Sequence, residues 1–188
     1  LPQEQVESVI ALYSSGNINQ AIEKIKALNE DYPNVPLLFN ILGACYKSIG
    51  KVDGALQMFD TATKIKSNYA EPHFNIGVIH QEQGHQENAI DSYKRAIDIN
   101  PKYSDAHNNL GIVYLDSKDL DKAVEHFKLA ISCNSEFAEA HNNLGSTLQQ
   151  KGLLEEALNN YKKSITLKSD FSQAHNNMGI LLQKLGNN

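Results

Sequence analysis

Apolar residues recur at steps of three and four on both sides of Gly50, Gly84 and Gly152. That period predicts amphipathic helices in pairs, with each of those glycines as the left-handed residue that ends the first helix. Five further glycines, Gly43, Gly77, Gly111, Gly145 and Gly179, fall 34 residues apart. The chain is therefore one helix-turn-helix unit copied along a line. The registers are 2–35, 36–69, 70–103, 104–137 and 138–171, followed by a half unit at 172–188.

Large and small residues alternate in fixed columns. Four places before the spaced glycine stands Phe39, His73, His107, His141 or His175, and one before it Leu42, Ile76, Leu110, Leu144 or Met178. Twelve places after it comes Ala55, Ala89, Ala123 or Ala157, sixteen after it Phe59, Tyr93, Phe127 or Tyr161, and nineteen after it Ala62, Ala96, Ala130 or Ser164. Small residues let two helix axes approach to about 8 Å, and the facing aromatic fills the space beside them. One pair alone cannot bury such surface, so neighbouring units must stack. Pro33 and Pro101 close their units, and Pro36 and Pro72 fall where a first helical turn tolerates proline. Two departures stand out: Val9 replaces the spaced glycine in the first unit, and Lys118 replaces the inter-helix glycine in the fourth.

These columns resemble the tetratricopeptide repeat, whose pattern runs through an aromatic, Leu-Gly, an aromatic, Ala, an aromatic, Ala and Pro. The resemblance covers the whole chain. It implies an all-α fold, a right-handed helical solenoid of tandem tetratricopeptide repeats with five helix-turn-helix units plus a terminal helix, forming a single array over 1–188. It also implies a protein–protein interaction module that binds an extended peptide in a concave groove lined by the first helices.

Composition narrows the partner. Lys and Arg total 17 against 22 Asp and Glu, a net charge of −5. There is no basic run, and an acidic excess repels phosphate, so the reading assigns no nucleic-acid partner. The longest apolar stretches fall well short of the ~20 residues that cross a bilayer, so it assigns no membrane partner either. Cys45 and Cys133 lie two units apart, beyond the ~7 Å reach of a disulfide, and read as small core residues. Unpaired thiols point weakly to the cytoplasm. Leu1 is not an initiator methionine, so the expectation is an excised segment of a longer protein.

The histidine column invites a metal reading, but equivalent residues of successive units stand two helix widths apart, whereas zinc needs ligand atoms at about 2.0–2.3 Å. Each ring is better read as a flat filler between helices with one nitrogen at the rim. No cofactor is implied. No Gly-rich phosphate loop, His-Glu-x-x-His or Gly-x-Ser-x-Gly is present, and the carboxylates are scattered over solvent-facing positions, so the segment carries no catalytic constellation.

Asparagine supplies the candidate site. Asn75, Asn109, Asn143 and Asn177 stand two places before the spaced glycine, and Asn40, Asn108, Asn142 and Asn176 three places before it. Inside a helix asparagine costs roughly 0.5 kcal/mol against alanine, so its repetition needs a reason. A carboxamide offers two donors and an acceptor, which complement the amide groups of an extended peptide whatever its side chains. The spelling Ala-His-Asn-Asn-Leu-Gly at 106–111 and 140–145 resembles the repeat arm of O-linked N-acetylglucosamine transferases. That resemblance implies an asparagine ladder at Asn75, Asn109, Asn143 and Asn177 that holds the backbone of protein substrates. Ligand contact and bridging between neighbouring units both stay open for this column, and replacing Asn109 and Asn143 by alanine is expected to disturb folding little.

Acidic Glu71, Asp105, Glu139, Glu82 and Asp116 should edge the groove, with Val78, Ile112, Ile180 and Leu115 as apolar patches. Relatives that clamp a terminal carboxylate use lysines and an arginine here, and those are missing. The expected partner is a neutral to somewhat basic protein or peptide segment. Two further functions fit the same repeats: the substrate-recruiting arm of a larger enzyme such as a glycosyltransferase, and a scaffold that self-assembles into a homo-oligomer through its terminal helices.

Overall fold

A computed structural model of the chain describes residues 1–186, so the last two residues of the half unit 172–188 lie outside the described residues. The described residues form eleven α-helices and no strand: α1 Gln3–Ser14, α2 Ile18–Asp31, α3 Pro36–Ser48, α4 Val52–Ile65, α5 Ala70–Glu82, α6 Gln86–Ile99, α7 Ser104–Asp116, α8 Leu120–Cys133, α9 Ala138–Gln150, α10 Leu154–Leu167 and α11 Ser172–Gly186. The fold is all-α and built of repeated helix pairs, one pair per 34-residue register. Tertiary contacts divide it into two compact units, Leu1–Asn88 and Ala89–Asn188.

The turns between paired helices share one device. Gly16, Gly50, Gly84 and Gly152 adopt φ of 75° to 80°, and Lys118 takes the same left-handed conformation at φ 63°. In the second pair, Gly50 N–H donates to the Lys47 carbonyl and Lys51 N–H to the Tyr46 carbonyl. That is the Schellman arrangement, which satisfies carbonyls left over at the helix end. Lys118 and Asp119 make the same two bonds, to Leu115 and Tyr114, so the turn forms without its glycine.

In the first unit, α1 to α4 stack in chain order with α5 packed on α3 and α4. Val9, Ala21, Ile25, Leu28, Leu38, Leu42 and Cys45 make one core, and Ala55, Phe59 and Ile79 another. A methyl on Gly43 would stand 2.6 Å from the Phe59 ring. The glycine is therefore required by the aromatic it faces. In the first pair both partners change together: Val9 stands for the glycine and Ile25 for the aromatic, and both are fully buried. Two medium side chains replace a none-and-large pair, which conserves volume at the crossing.

In the second unit, α7 to α11 repeat the pattern. A methyl on Gly111 would meet Phe127 at 2.7 Å and one on Gly145 would meet Tyr161 at 2.8 Å. Ala123, Ala130, Ala157 and Ser164 are fully buried at the helix crossings. The Ser164 hydroxyl donates to the Ala138 carbonyl at 2.7 Å, so the one polar residue in that column is satisfied. No described helix is long and apolar enough to cross a membrane.

Candidate functional site: a carboxamide ladder

Helices α7, α9 and α11 each carry two asparagines one residue apart, which point to adjacent faces separated by ~100°, while α3 carries only Asn40 and α5 only Asn75. The structure joins the two columns. In the first unit Asn75 Nδ2 donates to Asn40 Oδ1 at 3.0 Å. In the second, Asn143 Nδ2 donates to Asn108 Oδ1 at 3.1 Å and Asn177 Nδ2 to Asn142 Oδ1 at 3.0 Å. The second asparagine of one register thus bonds back to the first asparagine of the register before it. Longer bonds link the columns within a helix: Asn108 Nδ2 to Asn109 Oδ1 at 3.4 Å, and Asn142 Nδ2 to Asn143 Oδ1 at 3.5 Å. Asn109 Nδ2 ends the run on the Tyr93 hydroxyl at 3.4 Å.

Amide donation therefore runs one way through the second unit, from Asn177 through Asn142, Asn143, Asn108 and Asn109 to Tyr93. Burial separates the columns. Asn108 and Asn142 are 6% and 1% exposed, whereas Asn109, Asn143 and Asn177 are half-buried and Asn176 is exposed. Asn40 and Asn75 are both half-buried. Asn143 donates to the side-chain carbonyl of nearly buried Asn108, and leaving such a group unpaired costs about 1–3 kcal/mol.

Two tyrosines belong to this network and were not singled out in the sequence. Tyr93 receives Asn109, and the Tyr69 side chain hydrogen-bonds Asn40. Burial raises the Tyr69 hydroxyl above its ordinary pKa, Glu71 adds to the rise, and the Asn40 bond opposes it. For Tyr93 the legible signal was Tyr in place of Phe sixteen residues after the glycine, a place where Tyr161 likewise turns its hydroxyl to Gln149 Oε1 at 2.9 Å, whereas Tyr69 stands outside that column.

The histidine column serves the loops between registers. The Nε2 atoms of His107, His141 and His175 face the carbonyls of Pro101, Ser135 and Ser169, six residues earlier, at 3.1, 3.4 and 2.9 Å. A carbonyl only accepts, so Nε2 carries the proton in His107 and His175, whereas His141 faces a second acceptor, Asn160 Oδ1, at 3.2 Å from its Nδ1. His107 Nδ1 lies 3.2 Å from His126 Nδ1, and the His126 ring stacks on both His107 and Tyr114. With His107 Nδ1 bare, His126 Nδ1 is the donor. Burial lowers the His126 pKa, His107 and Lys94 lower it further, and Glu125 opposes them. Among the described residues no three His, Cys, Asp or Glu side chains are placed to hold a metal ion. Cys45 is buried and its thiol is pushed up to about 11 by desolvation, and Cys133 Sγ lies 3.7 Å from the Pro101 carbonyl.

The acidic column is partly neutralised. Glu82 pairs with Lys47 at 2.7 Å and Glu139 with Lys168 at 2.9 Å. Asp105 and Asp116 are exposed and have no ion-pair partner among the described residues. Val78, Ile112 and Leu115 are half-buried, and Ile180 is exposed.

The model for the TPR repeat matches residues 43–84, 82–118 and 147–186, and the model for the tetratricopeptide repeat matches 104–137. Comparison with curated protein sequences finds no match. Among solved structures, that of MamA is 28% identical with a TM-score of 0.73, covering 87% of this chain and 95% of that one. The fold is also shared with pilF of Pseudomonas aeruginosa, at 19% identity and a TM-score of 0.80 over 97% of this chain and 89% of that one. YrrB, described as a TPR protein with an unusual peptide-binding site, is 20% identical with a TM-score of 0.68 over 92% of this chain and 89% of that one. With matched repeats over more than half of its length and helix pairs in the matching register, the chain belongs to the tetratricopeptide repeat family of protein–protein interaction modules.

Proposed function

We propose that each unit binds extended protein backbone by its own carboxamides, the first unit through Asn75 and the second through Asn109, Asn143 and Asn177. The observation that carries this reading is the directed carboxamide run. Each ladder asparagine commits one amide N–H to a neighbour, which leaves one N–H and an oxygen lone pair. A donor and an acceptor at fixed orientation match the C=O and N–H of an extended peptide. Asn40, Asn108 and Asn142 act behind the ladder by fixing the orientation of each carboxamide, and exposed Asn176 can reach the ligand directly. The uncompensated Asp105 and Asp116 favour neutral to basic segments over acidic ones.

Peptides selected from a random-sequence library on the wild-type chain test this. Asn109→Ala together with Asn143→Ala should weaken unrelated peptides by a similar factor, about fivefold for each bond lost, at ~1 kcal/mol per bond. Affinity is counted per folded molecule, from the folded fraction by circular dichroism. Unchanged affinity on that basis would reduce the ladder to a bridge between registers.

A further inference from the structure

Where α3 begins, the chain departs from its own repeat at two places. Just before the first helix of the later registers stands Tyr69, Tyr103, Phe137 or Phe171, and two residues further on Glu71, Asp105, Glu139 or Gln173, but α3 has Val35 and Leu37 there. The first change leaves room and the second removes a polar group. Val35, Pro36, Leu37, Lys66 and Tyr69, all in the first unit, line an open pocket of about 280 Å³. Lys66 is its one charged wall. At the equivalent place in the 138–171 register, the Lys168 ammonium lies 5.0 Å from the centre of the Phe171 ring and pairs with Glu139 at 2.9 Å. The Lys66 ammonium lies 5.4 Å from the centre of the Tyr69 ring in the same way, but Leu37 takes the place of Glu139. Lys66 therefore has no ion-pair partner among the described residues. The Tyr69 side chain also hydrogen-bonds Asn40, which receives Asn75, so the pocket adjoins the ladder of the first unit.

We propose that this pocket takes a large apolar side chain, Leu, Met or Phe, from the extended segment, and that an acidic side chain two positions away along the segment meets Lys66. The proposal rests on the backbone reading above, because an extended chain held by its amides turns every second side chain to one face, about 7 Å apart. Apolar walls reject a charged occupant. The ammonium that lacks its carboxylate selects the acidic neighbour, supplying from the ligand what Glu139 supplies to Lys168. The uncompensated Asp105 and Asp116 stand in the second unit, so the two units differ in the charge they favour.

The test uses the 188-residue chain and end-blocked peptides Ser-Ala-X-Thr-Z-Ala-Ser, with Leu or Ala at X and Glu or Gln at Z, titrated against the methyl NMR signals of Val35 and Leu37. Leu at X should bind about tenfold tighter than Ala, through the apolar area it buries. Glu at Z should bind roughly two- to threefold tighter than Gln at low salt and no tighter at about 1 M. Val35→Tyr, read at Leu37, and Leu37→Glu, read at Val35, should each remove the preference for Leu, and Leu37→Glu should remove that for Glu as well. Each variant introduces a residue that other registers carry at the same place, and circular dichroism gives the folded fraction. Asn75→Ala should weaken all four peptides by one factor and leave both preferences intact. Equal binding of the Leu and Ala peptides, or a preference for Leu that persists in both pocket variants, would overturn the proposal, and Gln bound as well as Glu would overturn the role of Lys66. The ladder is tested separately: preferences that Val35→Tyr abolishes, with affinity that Asn75→Ala leaves unchanged, would keep the pocket and remove the backbone reading.

Discussion

Lys118 holds a backbone conformation that four glycines hold at equivalent turns. A β-carbon in the left-handed region costs roughly 1–2 kcal/mol, and the greater freedom of an unfolded glycine returns part of any gain. Lys118→Gly should therefore raise stability by about 1 kcal/mol in denaturant titration, and a loss would mean that the lysine side chain contributes more than its strain. His126 makes the other residue-scale prediction. Its pKa lies below the ordinary 6.5 because burial penalises the charged ring, with His107 and Lys94 adding to the effect. The folded state then binds fewer protons than the unfolded one. Its share of stability is complete above 6.5 and is lost as pH falls below that value through the lowered pKa. NMR titration should place His126 below 6.5, and stability should drop from about pH 8 to about pH 5 less steeply in His126→Gln.

At the level of the helix, one asparagine column does two jobs according to its place in the array. Asn142 is almost fully buried and receives Asn177, whereas Asn176 occupies the same position on α11 and is exposed. Asn142→Ala should cost about 1–3 kcal/mol by leaving the Asn177 amide without its acceptor. Asn176→Ala should be neutral or stabilising by roughly 0.5 kcal/mol, since alanine is the better helix former. Equal costs in thermal unfolding would remove the bridging role assigned to the buried column.

Over the whole molecule, affinity should follow the number of registers engaged, because the same carboxamide recurs and each contributes modestly. Charge adds a separate handle. With a net charge of −5 and Asp105 and Asp116 uncompensated, basic peptides should bind faster at low ionic strength. Raising salt from about 0.01 M to about 1 M shortens the screening length from ~30 Å to ~3 Å and should weaken basic peptides while leaving neutral ones nearly unchanged. A parallel loss for both, read by fluorescence anisotropy, would argue against an acidic edge on the groove.

Period and pattern in the amino-acid sequence determined the all-α class, the helix pairs and the glycine–aromatic crossings, because each rests on local spacing that every unit repeats. The Val9 exception was visible as a missing glycine, but its compensation by Ile25 required the two side chains to be seen in one core. The asparagine columns were legible as candidates. Their mutual bonding was not, since it joins residues 35 apart whose rotamers depend on how one register stacks on the next. Tertiary structure alone decided that the Tyr93 and Tyr69 hydroxyls take part and that His107 faces His126. The reason is physical: helix periodicity fixes which face a residue occupies, and only packing fixes what stands opposite that face.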